Sequence, residues 1–131
     1  MKNCHEVFDE NFAVIIEELK KGNFKGCFRL SVDLTVYSTL SEYKEGVLIS
    51  ETLESVFSQV GPIFDEFEVD KDETVQIFTE LISAVDDILN KYKKNDIELL
   101  NALVSIRFIA TKFQMRCWKL NTKKEDNFEE K

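Results

Sequence analysis

Apolar side chains recur at three- and four-residue intervals along most of the chain, and the stripes they form break at glycine and asparagine. Phe8, Phe12, Ile15 and Leu19 make the first stripe; Lys20 and Lys21 suit a last helical turn, and Gly22 supplies the left-handed residue that commonly ends one. The pattern predicts a helix over residues 5 to 21. Asn23 caps a second helix that is expected to run towards Glu45 and stop at Gly46, with Lys44 in its last turn. Ile49, Leu53, Val56 and Val60 predict a shorter third helix over residues 47 to 60, closed by Gly61-Pro62 because proline has no amide hydrogen to give. Asp70 and Glu73 have capping-box spacing before Val75, Phe78, Ile82, Val85, Leu89 and Tyr92, and Asn95 with Glu98 repeats the device. Only a short joint, Lys91 to Lys94, separates these last two helices, so they are expected to form an antiparallel hairpin.

Residues 97 to 118 are apolar around most of a helix circumference. Wound at about 100° per residue, Leu99, Leu103, Ile106, Ala110, Phe113 and Cys117 form one apolar face, and Ile97, Leu100, Val104, Phe108, Met115 and Trp118 form a second. Glu98, Asn101, Ser105, Lys112, Arg116 and Lys119 fill a narrow polar stripe. Such a helix needs cover on both faces, so it is expected to be the central helix of its fold or a subunit interface. One segment carries the opposite signal. Between Arg29 and Tyr37, Leu30, Val32, Leu34 and Val36 alternate with Ser31, Asp33 and Thr35, the period of a half-buried strand. The only other extended-looking stretch is Ile63 to Val69, and two isolated short strands are marginal, so helix is the reading kept for residues 29–37.

A chain of 131 residues has room for one domain with a real core, and 44% hydrophobic residues, eleven of them Phe, fit a folded protein with a Phe-rich interior. The expected layout is an all-α helical bundle over residues 1–120, with a charged, frayed tail over residues 121–131. A net charge of −8 argues against general attraction to nucleic acid or anionic lipid. No apolar run is long enough to span a membrane, and no leader-like segment opens the chain, so a soluble cytoplasmic protein is expected. Cys4, Cys27 and Cys117, odd in number and far apart, fit reduced thiols.

Gly22-Asn23-Phe24-Lys25-Gly26-Cys27 resembles the start of the second helix of a tetratricopeptide-type hairpin, where Gly, an aromatic residue and a small residue at these spacings let two helices pack closely. The resemblance covers one hairpin and implies a scaffold that binds other proteins. Ser31 stands where that pattern has a large apolar residue, Thr39 where it often has Pro, and no second copy follows at a period of about 34 residues.

Little in the chain suggests chemistry. Asp65, Glu66, Glu68, Asp70, Asp72 and Glu73 place six carboxylates in nine residues, a possible attraction for Ca²⁺ or Mg²⁺. A calcium loop begun at Glu66 would have Lys71 where Gly is required and Ile77 where a bidentate Glu is required, so the segment reads as a solvated linker. Cys4, His5, Cys27 and Cys117 are the residue types of a zinc site, but no close Cys pair is present. Glu17-Glu18, Glu51 with Glu54, and Glu80 with Asp86-Asp87 loosely resemble the paired acids of helical Mg²⁺-dependent nucleotide pyrophosphatases. They lack the repeated acid after Glu18 and a Lys and Asn set for phosphates. No catalytic residue, metal or cofactor is therefore assigned.

Two features remain as candidate sites. Arg107, Thr111 and Gln114 fall between the two apolar faces, where a buried guanidinium would need Asp33, Asp86 or Asp87 as partner. The run Arg107, Lys112, Arg116, Lys119, Lys123 and Lys124 has no acid until Glu125 and suits an acidic partner, including residues 65–73 of a second copy. The expected function is a non-catalytic protein-protein interaction module, homodimeric through Phe108, Met115 and Trp118 with Lys112, Arg116 and Lys119 beside them. A Mg²⁺-dependent nucleotide pyrophosphohydrolase and a small-ligand sensor built on Arg107 are the alternatives.

Overall fold

In the computed structural model, which describes residues 3–66 and 71–129, the chain winds into five helices, α1 (Cys4–Lys20), α2 (Phe24–Leu40), α3 (Lys44–Glu66), α4 (Lys71–Lys91) and α5 (Asp96–Glu129). No strand occurs among the described residues, and none of their helices is long and apolar enough to cross a membrane. The principal contacts run α1 to α2, α2 to α3, α3 to α5, α5 to α4 and α4 back to α1. The helices thus close a single ring around one core, an all-α single-domain bundle.

Three helix starts follow sequence chemistry directly. The side chains of Asn3, Asn23 and Asn95 accept the amide hydrogens of Glu6 at 3.0 Å, Gly26 at 3.0 Å and Glu98 at 2.8 Å, each satisfying one of the free donors of a first turn. Gly22, at φ 77°, reverses the chain between α1 and α2, with its own amide and that of Asn23 bonded back to Leu19 and Glu18. The acids expected to cap α4 include Asp70, which lies outside the described residues.

Helix α2 ends at Leu40, earlier than expected, and the intervening turn explains why. The left-handed residue there is Glu42, at φ 56°, and the Tyr43 amide bonds back to the Ser38 carbonyl at 2.8 Å. Gly46, expected to end α2, lies buried in the first turn of α3, where a Cβ would come within 2.5 Å of Ser38 Oγ and 3.0 Å of Ser38 Cβ. Its role is close approach of α2 and α3. The same seam holds Thr35 Oγ1, which donates to Ser50 Oγ at 2.8 Å, while Ser31 and Ser50 donate to carbonyls one turn back. The buried side of α2 is Cys27, Ser31, Leu34 and Ser38, a helical four-three-four spacing. Two of those four residues are polar, which leaves the strand-like alternation at positions 29–37 as the more visible pattern.

Helix α3 passes through Gly61-Pro62 to Glu66, a second departure from expectation. The clash that normally keeps the residue before proline out of the α region involves its Cβ, and Gly61 has none. Apolar burial carries the helix onward: Ile49, Leu53, Val56, Phe57, Val60 and Ile63 are all buried. In α4 the buried side is Ile77, Leu81, Val85 and Ile88; Val75 is exposed, and Phe78, Ile82 and Leu89 lie along the edge of the core. The expected stripe therefore shares only Val85 and Tyr92 with the buried one. Helices α4 and α5 form the antiparallel hairpin, tied at one end by Lys91 to Glu98 (3.1 Å) and at the other by Arg116 Nε to Glu73 (3.1 Å). Helix α5 is continuous to Glu129, past Asn121 where the expected tail begins.

The core is Phe-rich. Phe8, Phe12 and Phe57 are fully buried, and Phe24, Phe64, Phe78 and Phe113 form a chain of rings with centroids 5.1 to 5.9 Å apart.

Candidate interaction surface

Each helix of a single ring turns one side inward and leaves the other to solvent. For α5 the inward side is Leu99, Ala102, Leu103, Ile106, Ala110, Phe113 and Cys117, which packs on α3 and α4. The outward side carries the second apolar face. Ile97, Leu100, Val104, Phe108, Met115 and Trp118 are all more than half exposed, Phe108 at 67% and Trp118 at 64% against 4% for Phe113. The expectation of a central helix is thereby corrected: α5 is one stave of the ring, and the apolar side chains of its outer face are more than half exposed.

Polar margins border this face on both sides. Towards α3, Gln59 Nε2 donates to Gln114 Oε1 at 2.7 Å on the margin and reaches Thr111 Oγ1, which stands within the face, at 3.2 Å. Arg107 lies on the same margin and is exposed, as are Thr111 and Gln114. The angular placement between two apolar faces was sound, but one of those faces is exposed, so the position is an edge in water and not an interior. The expected buried pairing of Arg107 with Asp33, Asp86 or Asp87 has no basis there, and Asp33 and Asp86 are themselves exposed. On the other margin Lys112 is exposed, while Arg116 reaches Glu73 of its own chain. The side chains of Lys119 and of Asp65 and Glu66, together with residues 67–70, lie outside those described.

The groups considered for metal or acid-base chemistry are dispersed. Cys27 is buried with its thiol against the Ile15 carbonyl at 3.6 Å, Cys117 is buried in α5, and His5 sits beside Tyr43. Burial, aided by the negative charge of Glu18, pushes the Cys27 thiol up to about 12, the opposite of what a nucleophile or ligand needs. Glu17 is 3.6 Å from Lys20, and Glu18 accepts from Asn23 Nδ2 at 2.8 Å, a bond that holds its carboxyl below the usual range. Glu80, Asp86 and Asp87 line a shallow groove between α4 and α5 with Asn90 and Ser105. Among the described residues, no three His, Cys, Asp or Glu side chains are grouped to hold a metal ion.

One cluster escaped the sequence reading altogether. Where the start of α1 meets the α2–α3 and α4–α5 turns, the Tyr92 hydroxyl donates to Asp9, whose other oxygen is 2.6 Å from Lys93 Nζ. The Tyr43 hydroxyl is 2.9 Å from His5 Nδ1, and Phe8 packs against both tyrosine rings. Burial raises both phenols above their ordinary range, reinforced at Tyr92 by its bond to Asp9, so both stay protonated, Tyr92 as the donor to Asp9. The cluster staples three chain segments; its bonded partners lie up to 84 positions apart, and no local motif announces them. Comparisons with protein families, with curated proteins and with solved structures find no match for this chain.

Proposed function

We propose that this protein is a non-catalytic helical interaction module whose working surface is the outer face of α5. The observation that carries the reading is the exposed apolar stripe from Ile97 to Trp118. Side chains of this size at these exposures leave on the order of 700 Å² of apolar surface, beyond the few hundred Å² usual for the largest patch of a monomer. An exposed leucine is ordinary; six large apolar residues along one helix face, with only Asn101 and Thr111 among them and polar margins on either side, have the composition of an interface core and rim. The exposed face supports the interaction reading over a sensor built on Arg107, since that residue stands in water.

The test is placed in the native host. With p-benzoylphenylalanine in place of Val104, irradiation should join the full chain to a protein, and adding Phe108→Glu should abolish the adduct; the same probe at Val36, exposed on α2, serves as control. An adduct at position 104 that survives Phe108→Glu, or none at all, would overturn the reading. So would a rise in melting temperature with Mg²⁺ and nucleotides, which belongs to the hydrolase alternative.

A further inference from the structure

Two seven-residue series interleave along the outer face of α5: Ile97, Val104, Thr111 and Trp118, and Asn101, Phe108 and Met115. Only Asn101 and Thr111 among them are polar. The core-facing residues of α5 keep the same spacing, Leu99, Ile106 and Phe113 interleaving with Leu103, Ala110 and Cys117, so the helix carries one such pair of series inward and a second one outward. A seven-residue repeat along a solvent face presents a continuous seam on which another helix can pack along its length. Resting on the reading of this face as the working surface, we propose that its partner is the same face of a second copy, packed antiparallel about a twofold axis near residues 109 and 110.

Three arguments select a second copy in this orientation. The first is size. Antiparallel pairing sets members of one series against the other, so that Phe108 meets Thr111, Val104 meets Met115, and Asn101 meets Trp118 of the other copy. Every layer combines a smaller side chain with a larger one and the layers fill evenly. Parallel pairing would set Trp118 on Trp118 and Phe108 on Phe108, with Asn101 and Thr111 each stacked on itself.

The second argument is charge. In a parallel pair the flanking position at Arg107 faces that at Lys112 of the other chain, and symmetry repeats this like-charge contact on the opposite edge. Antiparallel pairing sets Arg107 against Gln114 and Lys112 against Ser105, all four exposed, and brings Glu98 to the level of position 119, a lysine. Residues 99–124 hold six cations and no acid, so the antiparallel arrangement also moves the basic half of each helix away from its copy. The third is area. The apolar stripe alone comes close to the ~800 Å² that each partner contributes to a standard stable interface, and the polar margins supply the remainder.

The experiment uses the full chain with Cys4→Ser, leaving only the two buried native thiols, and adds Val104→Cys or Met115→Cys. Sedimentation at micromolar concentration should give twice the chain mass. Under mild oxidation an equimolar mixture of the two single variants should form disulfide-linked dimers, while each variant alone should not. A monomer in sedimentation would overturn the second copy as partner, as would a dimer in which no pair cross-links. Cross-linking of either variant with itself would overturn the antiparallel orientation. A monomer whose photo-adduct at position 104 is still lost with Phe108→Glu would sink this inference and leave the proposed function standing.

Discussion

Cys27 illustrates how far a residue's behaviour follows from its burial. Its thiol ionises at an ordinary value of 9.0 once the chain unfolds and at about 12 inside the α1–α2 contact. The folded state therefore favours the protonated thiol: this contribution to stability is complete below pH 9, and it is lost as the pH rises from there towards 12. Urea midpoints measured across that window should fall with pH, and fall less steeply in Cys27→Ala; equal slopes would remove the thiol from the account. Arg107 makes the contrary point. Its exposure predicts that Arg107→Ala changes stability by less than about 0.5 kcal/mol in urea melts. A loss of about 3 kcal/mol would instead mean a buried pair broken. At this scale the sequence was legible wherever chemistry acts over three or four residues, as in the cap of Glu98 by Asn95. It was illegible where partners are remote, as for Tyr92 with Asp9 and Gln59 with Thr111 and Gln114.

Among the elements, the existence of all five helices was readable from apolar spacing, and the misplaced boundary between α2 and α3 has one cause. Glycine has two uses, reversing a chain and admitting a neighbour, and composition does not say which applies. Gly22 reverses the chain; Gly46 admits Ser38, and the reversal falls to Glu42. Proline inside α3 is a similar case. Pro62 is exposed and removes the amide hydrogen that would bond the Ser58 carbonyl, a defect of up to about 3 kcal/mol in a helix interior. Near the end of α3 the penalty is smaller, and proline also stiffens the unfolded chain, which offsets roughly 0.4–1 kcal/mol. Pro62→Ala is accordingly expected to stabilise the fold by about 1 kcal/mol, read as a rise in the urea midpoint with an unchanged slope. A fall in midpoint would show that the ring contributes something to the α3 C-terminus beyond its position in the helix.

At the scale of the whole molecule, the apolar content of α5 exceeds what a five-membered ring can use. The sequence announced both faces of that helix, and the inference that each must be covered is where the expectation of a central position came from. A ring offers every helix two neighbours, so four other helices cannot also supply a second layer outside α5. On the proposed reading the two faces belong to different assemblies, one to the fold and one to a partner, and substitutions should separate them. Phe113 is 4% exposed and joins the ring chain through Phe64; Phe113→Ala should cost about 3–5 kcal/mol of folding stability at any protein concentration. Phe108, five positions earlier and 67% exposed, should be nearly neutral to the isolated fold: Phe108→Glu at concentrations too low for association should melt within about 0.5 kcal/mol of the original. Raising the concentration should then raise the melting temperature of the original chain but not that of Phe108→Glu, because association stabilises only the folded form that carries the intact face. If Phe108→Glu unfolds the dilute chain, the outer stripe is part of the fold after all, and the division of α5 into a structural face and a binding face is wrong.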